Sequence, residues 1–314
     1  MMLNRRQFLL GVAGAGISIP LLSCSGESST VNLASGEPGG FQAAFAELLG
    51  TASEQHNPQV TLVNENTNGS VRNLQLLARG ETDLGLSLAD AAADATSRTP
   101  QLRAIGRVYA NYVQLAVAAD SPVRSFYDLV GRPVSLGASG SGTEATGMRL
   151  LDALGLTPSD VLLTPVSLTT VLDSLADGTV AAAMWAGGVP TPAAVPRPGY
   201  GPSAGIRLID LGAAVRPLRE KYGAIYEPVS LAPGLYGANN TETPTIGIPS
   251  LLVTTSGLSD DVASALVDIL IEQAAALIPA GTAGAQYLDS QSLIQTYGVP
   301  MHPAAEAAFR RHHG

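Results

Sequence analysis

The sequence has few of the residues on which metal, disulfide and nucleic-acid chemistry depend. Of its 314 residues, one is cysteine, four are histidine and one is tryptophan. A single cysteine excludes a disulfide within the chain, and no histidine has the helix-spaced partner of a zinc site. Lys and Arg number 17 against 26 Asp and Glu, without a basic run that could follow a phosphate backbone. We therefore expect no metal, no cofactor and no nucleic-acid partner.

Charge is scarce as well, at 14% of the residues, whereas 46% are apolar and 34 are glycine. This composition favours a packed α/β fold over disorder, and the length suits one large or two medium domains. The nucleophile pattern Gly-x-Ser-x-Gly does not occur around Ser139 or Ser141. No lysine stands near that loop to complete a phosphate-binding P-loop. We expect a protein that is not an enzyme.

The N-terminus resembles an export address. The twin arginine Arg5-Arg6 precedes an apolar stretch that is short for a bilayer-spanning helix, as in a Tat signal. Leu21-Leu22-Ser23-Cys24 resembles a bacterial lipobox, which implies cleavage before Cys24 and lipid attachment to its sulfur. The sequence thus predicts a signal peptide over 1–23, a tether over 24–30, and an extracytoplasmic protein anchored to the cell membrane.

Residues 133–155 predict a strand, a loop of small residues and a helix. Ser141 and Glu144 have the spacing of a capping box, with Ser141 as the N-cap, and Gly155 stands where the helix should stop. Such a helix start presents free backbone N–H groups and the positive end of a helix dipole, so an anion can bind there. We expect Thr143 to contact a ligand and Glu144 to serve the fold.

The same strand–loop–helix order repeats along the chain, which predicts a largely parallel sheet. A helix capped by Ser70 and ended by Gly80 belongs to this series, and 186–205 is too rich in Gly and Pro to be regular. Two lobes are expected: 31–113 plus 245–314 form lobe 1, and 114–244 form lobe 2. The predicted strands are 31–34, 60–63, 84–88, 112–118, 134–136, 161–163, 180–184 and 245–254, and a late helix is predicted over 262–277.

Several short motifs together resemble one family. They include Gly36-Glu-Pro-Gly-Gly40, Asn68-Gly-Ser-Val-Arg-Asn-Leu74, Gly140-Ser-Gly-Thr-Glu144, Ala186-Gly-Gly-Val-Pro190 and Met301-His-Pro303. In their order and spacing they resemble the TAXI family, the extracytoplasmic solute receptors of TRAP transporters. The resemblance implies a two-lobed periplasmic-binding-protein fold (type II-like) with the ligand cleft between the lobes. It also implies a small carboxylate ligand, such as glutamate or 2-oxoglutarate, and delivery to a TRAP permease in the membrane. This chain has Gln42 where the family usually has a tyrosine.

The candidate ligand-binding residues lie on the glycine-rich loops, at helix starts and at strand ends. They are Gly39, Gly40, Gln42, Asn68, Gly69, Ser70, Tyr109, Ser139, Ser141, Gly142, Thr143, Trp185 and Gly188. Core packing explains Trp185 and Tyr109 about as well as a cleft position does. Besides the transport receptor, expected to be a monomer, two readings stay open: a ligand sensor that feeds a membrane kinase, and an exported enzyme that uses the same cleft.

Overall fold

The computed structural model describes residues 29–195, 205–236, 241–282 and 288–313. The predicted signal peptide, Cys24 and the tether up to residue 28 lie outside this part of the chain. Residues 29 and 30, assigned to the tether from sequence, instead begin the first strand. Within the described ranges no helix is long and apolar enough to cross a membrane.

One mixed sheet organises both halves of the molecule. Its strands follow the order β2-β1-β3-β10-β4-β7-β5-β6, with β8 paired to β4 and β9 paired to β10. The strands are β1 (Ser29–Ala34), β2 (Val60–Glu65), β3 (Leu84–Leu88), β4 (Leu102–Ala118), β5 (Pro133–Ser135), β6 (Leu162–Leu163), β7 (Ala182–Gly187), β8 (Ile206–Leu208), β9 (Glu227–Leu231) and β10 (Thr243–Thr255). β1 is parallel to β2 and β3, and β5 is parallel to β6 and β7. The predicted α/β class is therefore confirmed.

Two long antiparallel strands, β4 and β10, connect the halves. β4 pairs with β10 between Leu102 and Tyr112, and with β7 of the second half from Tyr112 to Ala116. β10 pairs with β9 up to Gly247 and with β3 of the first half from Ser250. The predicted lobe boundaries at 113/114 and 244/245 lie near these changes of partner and stay a prediction.

Helices cover each half of the sheet. They are α1 (Phe41–His56), α2 (Ser70–Arg79), α3 (Ala89–Thr96), α4 (Gly142–Ala153), α5 (Val171–Ala176), α6 (Val215–Tyr222), α7 (Asp260–Glu272), α8 (Ser290–Leu293) and α9 (Pro303–His313). In lobe 1, Phe45 and Leu49 of α1 pack with Leu33 of β1 in one core. In lobe 2, Leu150 of α4 packs with Val134 of β5 in another. Burial of each such side chain contributes roughly 1.5–3 kcal/mol to the free energy of folding, so each lobe is stabilised by a core of its own.

Several sequence-based boundaries were wrong. β4 begins at Leu102 rather than at residue 112, and the helix predicted over 262–277 ends at Glu272, followed by a short 3₁₀ turn. β4 is buried along almost its whole length on both faces, so its sequence does not alternate as a half-buried strand does. β7 extends to Gly187, into the stretch expected to be irregular.

The predicted cap of α2 was also wrong. Gly69, with a φ of 109°, is the N-cap, and Ser70 is the first helical residue. The Ser70 hydroxyl instead accepts a hydrogen bond from the Leu88 N–H at 2.9 Å, which ties the start of α2 to the end of β3. Gly80 ends the helix in the left-handed conformation, with a φ of 68°, as expected.

Candidate functional site

A small cavity lies between the two lobes, where loops that follow strands meet helix starts. Its volume is about 50 Å³, room for about four water molecules at roughly 10–15 Å³ each. Lobe 1 supplies Glu37, Gly40, Phe41, Gln42, Asn68, Gly69, Ser70 and Leu88, and lobe 2 supplies Gly137, Ala138, Ser141, Gly142, Thr143, Val166, Leu168, Val171, Met184, Trp185 and Ala186. The cavity therefore suits a ligand of a few non-hydrogen atoms.

The helix start predicted from sequence is present on the lobe 2 side. The Ser141 hydroxyl accepts the Glu144 N–H at 3.0 Å and caps α4. The Glu144 carboxylate accepts the Gly140 N–H at 2.7 Å, not the Ser141 N–H that a capping box requires. Within the described part of the chain the N–H groups of Gly142 and Thr143 have no acceptor. These groups are free to bind an anion in the cavity.

Three hydrogen bonds join the lobes beside the cavity. The Arg72 N–H donates to the Gly140 carbonyl at 3.1 Å, and the Asn68 amide donates to the Ser139 carbonyl at 3.0 Å. The Leu168 N–H donates to the Glu37 carboxylate at 2.9 Å. Each of these bonds needs both lobes in place, so this arrangement is a closed cleft.

A comparison with protein families identifies the chain at this point. A model described as the NMT1-like family matches residues 34–312. The chain belongs to the NMT1-like family. The finer resemblance to TAXI receptors stays a prediction.

Solved structures with a similar fold come from several bacteria. A protein from Bordetella bronchiseptica RB50 is 16% identical over 90% of this chain and 81% of its own, with a TM-score of 0.51. The periplasmic aliphatic sulphonate binding protein SsuA from Escherichia coli is 20% identical over 62% of this chain and 68% of its own, with a TM-score of 0.40. The alkanesulfonate-binding protein SsuA from Xanthomonas axonopodis pv. citri is 16% identical over 90% of this chain and 84% of its own, with a TM-score of 0.46. Identities this low concern the fold alone, and the match to the Bordetella protein agrees with the mixed α/β fold described above.

Most of the residues selected from sequence line the cavity of this NMT1-like protein. They are Gly40, Gln42, Asn68, Gly69, Ser70, Ser141, Gly142, Thr143 and Trp185. Gly39, Tyr109, Ser139 and Gly188 are not on its wall. A side chain at Gly188 would overlap the Phe41 ring, and one at Gly39 would meet Ala193. Ligand contact by any of these residues stays a prediction.

Tyr109 is a core residue whose hydroxyl approaches the cavity wall from behind. Its ring packs 4.6 Å from that of Phe41 and 5.1 Å from that of Phe45, centroid to centroid. The buried hydroxyl lies near the side chains of Gln42 and Ser250 but makes no hydrogen bond of standard geometry. Burial raises the pKa of Tyr109 far above its usual range, so the phenol stays protonated and keeps a hydrogen to donate.

Thr143 and Trp185 have structural partners as well as a place on the wall. The Thr143 hydroxyl accepts the Ala186 N–H at 3.1 Å, which fixes the start of α4 to the end of β7. The Trp185 indole N–H donates to the Thr191 hydroxyl at 3.0 Å, and that hydroxyl donates to the Gly188 carbonyl at 2.7 Å. The Thr143 hydroxyl still has its own hydrogen, which can reach a ligand.

Sequence reasoning missed Glu37, which is the one ionisable side chain among the described residues that line the cavity. Burial raises the pKa of its carboxyl, and the hydrogen bond from the Leu168 N–H lowers it in part. The only signal in the sequence was its place inside the motif from Gly36 to Gly40, from which Gly39 and Gly40 were selected and Glu37 was not.

A buried charged cluster joins the lobes beyond the cavity. Asp90 of α3 is fully buried and accepts hydrogen bonds from the hydroxyls of Thr146, at 2.8 Å, and Tyr226, at 3.0 Å. The guanidinium of Arg149, on α4, lies 3.4 Å from the same carboxylate oxygen. Burial raises the pKa of Asp90, and the charge of Arg149 offsets part of that rise. In the described part of the chain no group of three or more His, Cys, Asp or Glu could hold a metal ion.

Proposed function

We propose that this protein is an extracytoplasmic receptor that closes its two lobes around a small carboxylate. The single observation that carries the proposal is the cavity between the lobes, lined by the free N–H groups at the start of α4. Cavities of this kind between domains are the usual place for small ligands. Membership of the NMT1-like family supports it.

The chemistry of the wall favours an anionic group at the α4 end. None of the described lining residues is Lys, Arg or His, so a bound anion would rely on backbone N–H groups and hydroxyls. Glu144 carries a negative charge in the same turn and would repel a bound anion. Its carboxylate accepts the Gly140 N–H, which holds it in a structural role. A carboxylate fits the donors at Gly142 and Thr143.

We propose no catalytic role for the cavity. Its hydroxyls already bind backbone groups: Ser70 accepts the Leu88 N–H, Ser141 the Glu144 N–H and Thr143 the Ala186 N–H. A nucleophile would need an adjacent base. Glu37 is the one described lining residue that could act as a base, and its carboxylate is hydrogen-bonded to the Leu168 N–H and to none of these hydroxyls.

Delivery to the permease of a TRAP transporter is the finer part of the proposal. It rests on the sequence resemblance to TAXI receptors and on the predicted lipid anchor at Cys24, which would hold the receptor beside a membrane partner. Uptake assays in vesicles that carry TRAP membrane subunits, with and without this receptor, test that step. Uptake that does not depend on the receptor contradicts it and favours a sensing role.

Thermal-shift screening with amino acids, 2-oxoacids and neutral sugars tests the ligand class. Carboxylates should raise the melting temperature, because a ligand that binds only the folded, closed form stabilises it, and the more so the further its concentration exceeds its Kd. Native mass spectrometry of the purified protein identifies anything that co-purifies. A clear shift with sugars and none with any carboxylate contradicts the proposed class.

A further inference from the structure

Glu37 is placed where a bound solute would meet a negative charge. It follows β1, lines the cavity from lobe 1, and accepts the Leu168 N–H of lobe 2 through one carboxylate oxygen. The other oxygen has no hydrogen-bond donor among the described residues. Glu37 is partly exposed and lines the cavity, so this acceptor is open to a hydrogen-bond donor on a ligand.

Among the described residues, no other charged side chain lines the cavity and none donates a hydrogen bond to this second oxygen. The positive charge of Arg149 is paired with Asp90 beyond the cavity. The cavity therefore has two unlike regions. Gly142 and Thr143 offer free N–H groups beside Gly69 and Ser70, whereas Glu37 offers an acceptor beside Leu168.

We infer that Glu37 selects the ligand by accepting hydrogen bonds from a positively charged amino group, so that the solute is a small zwitterion with one carboxylate and one amino group. This rests on the proposed solute-binding function and narrows its ligand class. An oxo acid of the same skeleton would place a carbonyl oxygen, which has no hydrogen to donate, against Glu37. A hydroxy acid could donate one O–H hydrogen bond but has no positive charge to offset the carboxylate. Two opposite charges on the ligand match the two regions of the wall.

Calorimetric titration of the full mature chain with the twenty amino acids tests the inference. For every skeleton that binds, the corresponding oxo acid and hydroxy acid are titrated too, as alanine, pyruvate and lactate form one set. Wild type should prefer the amino compound by about 10- to 100-fold, the usual effect of a hydrogen bond to a charged group. Glu37→Gln keeps an oxygen for the Leu168 N–H but removes the charge, and should reduce that preference at least several-fold.

Glu144→Gln is the matched control, because it removes a nearby negative charge from a side chain that does not line the cavity. It should keep the wild-type preference, since its amide oxygen can still accept the Gly140 N–H. If Glu37→Gln lowers the affinity for all three compounds of a set equally, Glu37 only joins the lobes and the inference is wrong. Binding of acids without an amino group, and of no amino acid, overturns the inference while solute binding stands. If no carboxylate of any kind binds, the proposed function fails, and the inference fails with it.

Discussion

Gly142 lies at a close contact between the two lobes, and replacing it with alanine tests whether ligand binding requires closure. A Cβ atom on Gly142 would lie 2.8 Å from Ser70 Cβ and 2.9 Å from Leu88 Cδ1, with Ser70 Oγ closer still. Gly142 belongs to lobe 2, whereas Ser70 and Leu88 belong to lobe 1. The added methyl group therefore collides only when the cleft is closed.

The cost can be worked from the surroundings. Ser70 is 1% exposed and its hydroxyl is held by the Leu88 N–H, so neither neighbour can withdraw without losing a buried hydrogen bond. An extra methyl group in a packed site typically costs about 1–3 kcal/mol. Because only the closed state bears that cost, the apparent Kd should rise by about 5- to 150-fold. The lobe itself should not suffer, since Ala is a better helix former than Gly by up to about 1 kcal/mol.

Calorimetric titration with the ligand of the wild type, thermal melting without it, and small-angle scattering separate these effects. Gly142→Ala should bind weakly, melt like wild type and stay extended in scattering when ligand is added. Gly50→Ala is the control: its Cβ would have only the Leu62 carbonyl near, at 3.9 Å, and Gly50 does not line the cavity. Wild-type affinity in Gly142→Ala, or a melting temperature that falls together with affinity, would refute the reasoning.

Three further changes probe the lobe contacts and the anchor. Arg149→Met leaves Asp90 buried without its cation and should lower the free energy of unfolding by about 3–5 kcal/mol in urea titrations at neutral pH. That loss of stability should be smaller at low pH. The Asp90 carboxyl has a raised pKa in the folded state, so it stabilises the fold while it is protonated, and this contribution is lost as pH rises through the folded-state pKa. Thr143→Val leaves the Ala186 N–H without an acceptor, so it should cost about 1–3 kcal/mol of stability as well as weaken binding. Cys24→Ala should move the protein from membrane to soluble fractions on cell fractionation.

Each of these three predictions has a control variant or an outcome that would contradict it. Arg216→Met breaks an exposed pair with Glu220 and should change stability by no more than about 0.5 kcal/mol. A similar small effect for Arg149→Met would mean that Asp90 does not depend on its cation. Thr143→Val with wild-type stability would mean that the Ala186 N–H finds another partner. Cys24→Ala that remains membrane-bound would contradict the lipoprotein prediction.

Local signals in the sequence were sufficient wherever a structural feature depends on a few neighbouring residues. Ser125 and Asp128 form both halves of a capping box around a short 3₁₀ turn, and β3 has the predicted ends. Ser141 caps α4 for the same reason: its hydroxyl and the Glu144 N–H are three residues apart. The Glu144 carboxylate was assigned to the wrong N–H, because the spacing does not distinguish Ser141 from Gly140.

Features that depend on distant partners could not be predicted in this way. The first part of β4 contains Arg107, which is nearly buried and meets Tyr297 at 2.9 Å and Glu227 at 3.7 Å. From sequence an arginine inside an apolar run argues against a buried strand, and its partners lie more than a hundred residues away. The Met301-His302-Pro303 motif is another case. Its histidine accepts the Ala304 N–H at 3.3 Å and contacts the Leu258 carbonyl at 3.2 Å, so it supports α9 rather than a ligand.

The cavity depends both on neighbouring residues and on distant partners, and this explains which of its residues could be predicted from the sequence. Gly69 and Gly142 attract attention because glycines before helices mark turns, yet the reason that position 142 must be small is Ser70 of the other lobe. Glu37 carries the only ionisable group on the described wall, but it looks like an ordinary loop residue until Leu168 is placed against it. A binding site between two lobes is made of pairs that the chain separates by more than 50 residues. Local patterns can therefore locate the loops that form the site, whereas the charge and size that select the ligand emerge only when the lobes meet.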